Sequence, residues 1–594
     1  MKYVKPLKAK ILATAAKLPL FMILPTLAII IFDLGWAQSL KLSKVVFGYY
    51  LFVLVLLCLS AVTVFVLADK DHRSTGHRNS DIFLILSTGF LLYNNLFQPG
   101  HFTLDGWASG YLSGEALAIV VLAFIAVREV TARNIIPIKL NPGLLFVLSF
   151  FTLILVGTGF LLLPNATNGK LKLIDAFFTS TSAVCVTGLA VKDTSTFFTP
   201  FGQLIILILI QLGGLGIMTL SSFISYFMKK SSTFSSMLTL REMTNSETIA
   251  GAFSTVKRIV VLTLLVEAAG AALIYFNLDV AKMPEMSDRI FFSAFHAISA
   301  FCNAGFSTAS DGLHNPDLQF AYNLHLILAV LIIIGGFGFP VMINLMQTLK
   351  SSLVWKLTKI FSKNSPRKQR RRLSVNTRVA FVSSAILLAI GTFLFFILEY
   401  KHTLSNHSFF GKIVTAFFAS VTTRTAGFNT VDMTAMVPAS ILLTIALMWI
   451  GASPSSTGGG IRTTTFSLAI LRIWGTITGR KRVELYRREI SEESFRKAFS
   501  VIFVSVIVIV TSSFLVSIFD PQADPIKVIF ECFSAFGTAG LSLSLTPTLS
   551  GMSKLTLILT MFFGRVGMLT LLTAIFYRLR NSSYQYPSED VLTN

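Results

Sequence analysis

The stretch TAFFASVTTRTAG at residues 415–427 decides the fold, because three other parts of the chain repeat its pattern. The other copies are FFTSTSAVCVTG at 177–188, FSAFHAISAFCNAG at 292–305 and VIFECFSAFGTAG at 528–540. Counted back from the final glycine, a phenylalanine lies ten residues earlier in every copy: Phe178, Phe295, Phe417 and Phe530. The position six residues before the glycine is Ser182, Ser299, Val421 or Ser534. Successive glycines are 117, 122 and 113 residues apart, so the pattern indicates four long repeats.

The composition places the chain in lipid. Of its 594 residues, 53% are hydrophobic and 13% are charged, and the mean hydropathy is +0.72, far from the balance of a water-soluble domain. Several apolar runs approach or exceed the roughly 20 residues that cross a bilayer as a helix, for example 47–68, 144–163, 204–228 and 501–519. The net charge of +22 is spread over short segments between such runs, which favours a membrane protein over a nucleic-acid partner.

The charged segments indicate which side of the membrane each link faces. Segment 350–378 holds ten Lys and Arg and no acid, whereas 307–323 holds no Lys or Arg and contains Asp311 and Asp317. By the positive-inside rule the first segment is cytoplasmic and the second is external. The same reasoning predicts cytoplasmic N and C termini.

The alternation of long apolar spans with short semi-apolar stretches predicts an all-α polytopic membrane protein. Each copy reads as a helix, a pore loop too short to span, and a second helix, so four pseudo-symmetric repeats surround a central pore. The predicted repeats occupy 144–230, 257–350, 377–480 and 497–580. About four extra transmembrane helices precede them in an N-terminal region at 1–143, and a cytoplasmic tail follows at 581–594.

The last three residues of each copy, which we call the glycine turns, are predicted to form an ion filter. Backbone carbonyls can replace the water around a cation without burying a negative charge, and glycine allows the angles and the close approach this requires. A single such glycine would be read as a helix C-cap or a loop turn, but four in register favour a filter. The predicted ligands are the backbone carbonyls of Val186, Thr187, Gly188, Asn303, Ala304, Gly305, Thr425, Ala426, Gly427, Thr538, Ala539 and Gly540.

Other polar residues near the glycine turns are open to two interpretations. Asp193, Asp311 and Asp432 follow three of the turns, where they either concentrate cations at the outer mouth or are ordinary loop carboxylates. For Arg424, His296 and Glu531, packing and hydrogen bonding behind the filter are favoured over direct ion contact. His296 and Glu531 both lie nine residues before their glycines.

The second helix of the third repeat is interrupted by GASPSSTGGG at 451–460. Pro454 and three consecutive glycines cannot continue a helix, so residues 453–460, the glycine-rich loop, are predicted to be a gate beneath the filter; a plain cytoplasmic loop is the alternative. Arg565 in the fourth repeat is expected to bond to this loop, or else to pair with Glu267. The predicted gate residues are Ser455, Ser456, Thr457, Gly458, Gly459, Gly460 and Arg565.

Enzyme chemistry finds no support in the sequence. No GxxxxGK[ST] loop is present, the Gly213-Gly-Leu-Gly216 run lies in an apolar span without a βαβ pattern, and the four cysteines show no ligand spacing. We therefore predict a non-enzyme without cofactor, in contact with membrane lipid and not with nucleic acid. A secondary transporter for another cation, Na⁺-coupled or Na⁺-permeable, or for another small solute is the main rival. It predicts two matching interrupted helices in inverted halves, whereas the sequence shows one interruption and four parallel repeats.

Over about residues 144–580 the chain resembles the membrane subunits of the Trk/Ktr/HKT potassium transporter superfamily. The resemblance is carried by the four glycine turns, by GASPSSTGGGIRTTTF at 451–466 and by FGRVGMLTL at 563–571. It implies potassium uptake across a bacterial inner membrane, with the glycine-rich loop as a gate that Arg565 helps hold closed. Glycine in all four turns goes with K⁺ selectivity in such relatives and serine in the first with Na⁺ permeation, so K⁺ is expected and Na⁺ is possible. A homodimer and cytosolic Rossmann-type nucleotide-binding regulatory subunits are also implied.

Overall fold

The structure, a computed structural model, describes most of the four predicted repeats. The residues described are isolated positions between 25 and 63 and the ranges 142–228, 252–280, 283–339, 341–346, 348, 374–454, 456–480 and 482–567. The predictions for most of the N-terminal region 1–143, for Ser455 and for the tail 581–594 lie outside the described residues.

Two compact units divide the chain. The smaller unit includes Phe160–Asn168 and Thr199–Gly202, which are joined by a 3.1 Å hydrogen bond from the amide of Thr199 to the carbonyl of Ala166. The larger unit comprises Leu140–Gly159, Gly169–Phe198 and Gln203–Asn594, and it contains all four glycine turns.

The described helices follow the same order around each glycine turn: a long helix, a short helix that leads into the turn, and a further helix. Around the first turn these are α1 (Pro142–Leu161), α2 (Leu173–Val184), a single-turn α3 (Thr194–Phe197) and α4 (Pro200–Met228). Around the second they are α5 (Ala252–Asn277), α6 (Met286–Cys302) and α7 (Tyr322–Gly336). Around the third they are α8 (Val375–Glu399), α9 (Phe409–Thr422), α10 (Pro438–Trp449) and α11 (Thr463–Ile477). Around the fourth they are α12 (Glu492–Phe519), α13 (Pro525–Gly537) and α14 (Gly551–Val566).

The remaining regular elements are short. A two-stranded antiparallel hairpin pairs β1 (Glu484–Leu485) with β2 (Arg488–Glu489) between α11 and α12. Among the described residues, four 3₁₀ helices lie in the connections, at Pro164–Ala166, Gly312–His314, Met433–Ala435 and Thr546–Thr548.

Side-chain caps fix where several helices begin. Ser408 accepts a hydrogen bond from the amide of Gly411 at the start of α9, and Ser550 does the same for Ser553 in α14. Asp524 accepts from the amide of Ile526 in α13, which has proline in its first turn. Such caps satisfy amides that the helix leaves without a partner, which is worth about 1 kcal/mol each.

The outer faces of the long helices are apolar. Three helices within the described residues are long and apolar enough to cross a membrane: Arg258–Asn277, Val375–Glu399 and Glu492–Phe519. They expose large hydrophobic side chains such as Leu265, Phe393 and Phe503, each more than 60% accessible. A helix that is apolar on its exposed face needs lipid around it, as the composition predicted.

Within the described residues, two of the helices that follow the glycine turns are broken, not one. The expected break separates α10 from α11, across the glycine-rich loop. A second break follows α7, where Phe337 leaves the helix and Gly338 takes a positive φ of 77° before helical residues resume. The prediction of a single interruption was therefore wrong, although GGFGFP at 335–340 carries a proline, Pro340, directly after the break.

A buried ion pair joins the first repeat to the fourth. Lys554 Nζ in α14 lies 2.7 Å from Asp175 Oδ1 at the start of α2, across 379 residues of chain. The two residues are 7% and 5% exposed. Because neither charge reaches water freely, each depends on the other.

We predict that Asp175→Ala destabilises the protein by about 3 to 5 kcal/mol, because it removes the carboxylate that is hydrogen-bonded to the buried ammonium of Lys554. Thermal unfolding of the purified protein in detergent measures this. The matched control is Glu493→Gln, which removes the i,i+4 partner of Lys497 in a pair whose side chains are both 64% exposed. That variant should shift stability by less than about 0.5 kcal/mol. Equal melting temperatures for Asp175→Ala and the parent would contradict the prediction.

Candidate functional site

All four glycine turns have the same backbone conformation. The first residue of each turn has a positive φ, which is 55°, 62°, 74° and 48° at Val186, Asn303, Thr425 and Thr538. The glycine does too, with 91°, 71°, 80° and 79° at Gly188, Gly305, Gly427 and Gly540, while the residue between them has a negative φ. This alternation turns successive carbonyl groups toward one side of the chain. At the glycine the angle is one that a side chain disfavours.

The four glycines form a closed ring. A β-carbon added to Gly188 would lie 2.4 Å from the carbonyl oxygen of Ala304 and 3.3 Å from the α-carbon of Gly305. A β-carbon added to Gly305 would likewise lie 2.6 Å from the carbonyl oxygen of Ala426, one added to Gly427 2.9 Å from that of Ala539, and one added to Gly540 2.2 Å from that of Thr187. Each turn therefore touches the next, in the order of the chain, and the fourth touches the first. Any side chain at these four positions would collide with the neighbouring backbone.

Hydrogen bonds show that the third copy is one residue shorter before its turn. The amides of Thr187, Ala304 and Ala539 donate to the carbonyls of Ser182, Ser299 and Ser534, six residues before the glycine, at 2.7, 2.7 and 2.8 Å. In the third copy Ala426 donates to Thr422 at 3.0 Å, and Thr422 lies only five residues before Gly427.

The register assigned from the sequence for this copy is therefore wrong. Thr422, and not Val421, matches the three serines, and its hydroxyl donates to the carbonyl of Phe428 as Ser299 does to Phe306. Phe418, and not Phe417, is the fully buried phenylalanine that matches Phe178, Phe295 and Phe530.

Glycines in the helices after the turns pack against the ends of the short helices. A β-carbon at Gly213, Gly335 or Gly564 would lie 2.0, 1.9 or 2.0 Å from the carbonyl oxygens of Val184, Phe301 and Phe536. Each of these carbonyls belongs to the residue four before a ring glycine. Backbone contact of this kind needs a residue without a side chain. In the third repeat Gly451 instead faces the carbonyl of Gly459, 2.1 Å from its added β-carbon.

The glycine-rich loop is buried against the glycine turns. Ser453, Ser456 and Thr457 are at most 2% exposed. The amide of Ser453 donates to the carbonyl of Gly336 at 3.0 Å and that of Thr457 to Gly335 at 3.5 Å, so the loop supplies the donors that the end of α7 lacks. The hydroxyl of Thr457 donates to the carbonyl of Phe301 at 3.3 Å. The alternative of a plain cytoplasmic loop does not fit this burial.

Side chains of the glycine turns also touch this loop. The amide of Gly459 donates to the hydroxyl of Thr538 at 2.9 Å, and a β-carbon at Gly458 would lie 2.2 Å from the hydroxyl oxygen of Thr425. The side-chain amide of Asn303 lies 3.2 Å from that same hydroxyl. These side-chain roles were missed, because the sequence pointed only to the backbone carbonyls of the three residues.

Two arginines bond to the loop, Arg565 fully buried and Arg462 half-buried. Arg565, 1% exposed, donates to the carbonyl of Thr457 and, at 2.7 Å, to the carbonyl of Gly213 in α4. Arg462 donates to the carbonyl of Gly458 and lies 3.5 Å from the hydroxyl of Ser456. Arg462 was not among the predicted gate residues, although a basic residue two positions after three glycines in a membrane span was an available signal.

Glu267 is not the partner of Arg565. Its Oε2 accepts a 3.0 Å hydrogen bond from Gln211 in α4, and its Oε1 lies 3.8 Å from the thiol of Cys302. The alternative of an Arg565–Glu267 salt bridge is therefore wrong. Arg424 also lies behind the turns, where it donates to the hydroxyl of Ser384 in α8 at 3.0 Å.

Two of the three acids that follow the turns act as local caps. Asp193 accepts from the amide of Ser195 at 2.8 Å and Asp432 from that of Thr434 at 2.9 Å. The hydroxyl of Thr434 also donates to Asp432 and is the main cause of a pKa below the usual value for that carboxyl. Asp311 offers its backbone carbonyl to Asn429. Asp193 and Asp432 therefore have the geometry of ordinary loop carboxylates. The lowered pKa of Asp432 keeps that carboxyl ionised at neutral pH.

Comparison with known proteins places this arrangement in a family. The family model described as the TrkH cation transport protein matches residues 114–584. The chain is 35% identical over 460 residues to Ktr system potassium uptake protein B of Bacillus subtilis, covering 77% of this chain and 97% of that protein. It is also 35% identical over 466 residues to potassium/sodium uptake protein NtpJ of Enterococcus hirae, covering 76% and 97%. The crystal structure of the potassium transporter TrkH from Vibrio parahaemolyticus has the same fold, with a TM-score of 0.55 and 19% identity over 88% of this chain and 97% of that one.

We predict that Gly335→Ala disrupts the site, because its methyl group would lie 1.9 Å from the carbonyl of Phe301 and must push α6 away. The yield of monodisperse protein in detergent and its melting temperature measure the effect, and we expect a loss of about 1 to 3 kcal/mol. Gly159→Ala is the control, since no atom lies within 4 Å of its added β-carbon in α1. If both variants unfold at the parent's temperature, the close approach of α7 to α6 is not required.

Proposed function

The chain belongs to the TrkH family of cation transport proteins, and on that premise we propose that it carries potassium ions into the cell. It is an integral membrane subunit of the Trk/Ktr type and a transporter, not an enzyme. The relatives reported above are named for potassium uptake or for potassium and sodium uptake. Within this function we assign the four glycine turns to ion selection and the glycine-rich loop to gating.

The closed ring of Gly188, Gly305, Gly427 and Gly540 carries the proposal. A K⁺ ion can enter a narrow passage only if oxygens replace the water it loses, and carbonyls from four turns provide these without a fixed negative charge. The alternating backbone angles of each turn favour carbonyls on one side. The ion is the transported substrate, so no cofactor is required.

The short helices supply electrostatic stabilisation as well. Each of α2, α6, α9 and α13 ends within five residues of a ring glycine. The C-terminal end of a helix carries a partial negative charge, equivalent to about half an elementary charge. Four such ends directed at the ring would stabilise a dehydrated cation there.

The glycine-rich loop is proposed to block the passage until it moves. Its contacts reach residues of the second, third and fourth repeats, and Arg565 links it to α4 of the first. Hydrogen bonds to a charged donor hold the loop in this position. Because the loop is rich in glycine and lies between the ends of two helices, it can move out of the passage without unfolding either helix.

The assembly and orientation of the protein are proposals of the same kind. We propose a homodimer in a bacterial inner membrane, with both termini in the cytoplasm. We propose that cytosolic Rossmann-type nucleotide-binding subunits regulate it. Partners of this type would act on the segments that face the cytoplasm, next to the helices that carry the loop.

Sodium permeation is the second candidate function. One 35% identical relative is named a potassium/sodium uptake protein, so the family's sequence range includes such transport. Measurement of both ions in the same preparation separates the two functions.

We predict that Gly188→Ser admits more Na⁺. Serine disfavours a φ of 91°, and its β-carbon would lie 2.4 Å from the carbonyl oxygen of Ala304, so one side of the ring must shift. Uptake of ⁸⁶Rb⁺ and ²²Na⁺ in a transport-deficient bacterium measures the change, and we expect the Rb⁺/Na⁺ ratio to fall roughly tenfold or more. Gly551→Ser is the control, because no atom lies within 4 Å of that glycine's added β-carbon. Unchanged rubidium flux with unchanged sodium exclusion would remove the filter assignment.

We predict that loosening the loop raises ion flux. Deleting 457–460 removes the barrier, and Arg565→Gln removes a charged donor to the carbonyl of Thr457, a bond worth about 1.5 to 3 kcal/mol. Initial rates of ⁸⁶Rb⁺ uptake into proteoliposomes should rise for both variants. Arg482→Gln controls for loss of a charge, since the side chain of Arg482 is 76% exposed. Flux that falls to zero in a deletion variant of normal yield and elution profile would contradict the gate.

A further inference from the structure

In two of the four repeats a buried side chain nine residues before the ring glycine is hydrogen-bonded to a serine two residues after it. In the second repeat His296, fully buried in α6, places Nε2 2.9 Å from the hydroxyl of Ser307. His296 Nδ1 lies 2.9 Å from the carbonyl of Phe292 and must donate to it, so Nε2 accepts from Ser307. The hydroxyl of Ser307 in turn accepts from the amide of Ala309 at 3.0 Å.

The fourth repeat has the same arrangement with a different acceptor. The hydroxyl of Ser542 donates to Glu531 in α13, which is 1% exposed, and accepts from the amide of Ser544 at 3.0 Å. Glu531 also accepts from the amide of Leu543 at 3.2 Å and from the hydroxyl of Thr546 at 2.7 Å. In both repeats the acceptor lies nine residues before the ring glycine and the serine two residues after it.

The first and third repeats lack this bond. In the first, Thr179 and Ala190 occupy the two positions, and the hydroxyl of Thr179 donates to the backbone carbonyl of Asp175 within α2. In the third, the corrected register puts Ala419 at the acceptor position, and Asn429 donates to the carbonyl of Asp311. The acceptor and the serine therefore occur together or not at all, and the repeats that have them are the second and the fourth, which face each other across the ring.

We propose that His296 and Glu531 are positioning residues which, through Ser307 and Ser542, set the preference of the glycine ring for K⁺ over Na⁺. This inference rests on the proposed function. Each bond joins the short helix, nine residues before the ring glycine, to the chain two residues after it. It therefore fixes the distance between the segments that enter and leave the glycine turn. Na⁺ is smaller than K⁺, and carbonyls must close in on it to replace its water. A turn whose two ends are held at a fixed distance resists that closure. Because the two turns lie on opposite sides of the ring, together they fix the distance across it between the second and the fourth repeats.

The bond, and not the charge of Glu531, is the element that acts. Glutamine at 531 keeps an oxygen for Ser542 and Leu543 and an amide that can donate to the hydroxyl of Thr546. Leucine keeps the volume and loses every bond. Comparison of the two variants separates hydrogen bonding from electrostatic attraction of the ion.

The test is the ratio of ⁸⁶Rb⁺ to ²²Na⁺ uptake by the full-length protein in proteoliposomes. We expect Ser542→Ala, Ser307→Ala and Glu531→Leu each to lower this ratio roughly three- to tenfold, the worth of one buried hydrogen bond, with total cation flux retained. The Rb⁺/Na⁺ uptake ratio of Glu531→Gln should stay within about twofold of that of the parent. Ser542→Ala combined with Glu531→Leu should be no worse than the poorer single variant, because both remove the same bond.

Thr179→Val is the matched control at the same register in the first repeat, and its ratio should equal that of the parent. An unchanged ratio in Ser542→Ala and Ser307→Ala, in protein with a normal melting temperature, overturns the inference. So does additive loss in the double variant, or a loss in Glu531→Gln as large as in Glu531→Leu. A parent protein that moves neither Rb⁺ nor K⁺ overturns the proposed function instead. The two failures are therefore distinguishable.

Discussion

The close approach of four backbones at Gly188, Gly305, Gly427 and Gly540 is the constraint on which the rest of the structure depends. Each ring glycine has a carbonyl oxygen of the neighbouring turn within 2.9 Å of where its β-carbon would be. No other residue type fits four times at such a junction. Since the turns must meet there, the short helices must converge, and the helices behind them need glycines of their own where they press on the ends of three short helices. The helical framework is thus arranged to bring non-helical backbone together at one place.

The side chains around this nearly fourfold backbone are not fourfold. The third repeat sends its chain back against the glycine turns as the glycine-rich loop, and arginines of the third and the fourth repeats, Arg462 and Arg565, bond to that loop. The ion pair of Asp175 and Lys554 closes the first repeat onto the fourth. In the described chain, the bond between a side chain nine residues before the ring glycine and a serine two residues after it occurs in the second and fourth repeats. A ring built from one polypeptide can therefore carry a different role in each quarter, whereas identical subunits would have to repeat every feature four times.

Sequence reasoning succeeded where the signal was local and repeated. The four glycines, the loop at 453–460 and Arg565 stand out by residue type and spacing alone, and the structure brings them within contact of one another. It failed where spacing was assumed to be constant. Thr422 rather than Val421 matches the serines of the other copies, because a short helix can end one residue earlier and still deliver its glycine to the same place. The break after Gly336 was also missed: the glycines alone are equally compatible with a close-packed helix, but Pro340, four residues further on, was an available signal.

By itself the sequence determined that this is a mostly helical membrane protein, and it predicted four long repeats, because hydropathy and spacing are properties of neighbouring residues along the chain. It also singled out His296 and Glu531 by register. What only the tertiary structure decided is which groups meet: the loop amides with the end of α7, Arg565 with Gly213 and with the loop instead of Glu267, and Lys554 with a carboxylate 379 residues away. Those partners depend on how whole helices pack in space, and no periodicity in a linear chain records a contact between residues so far apart.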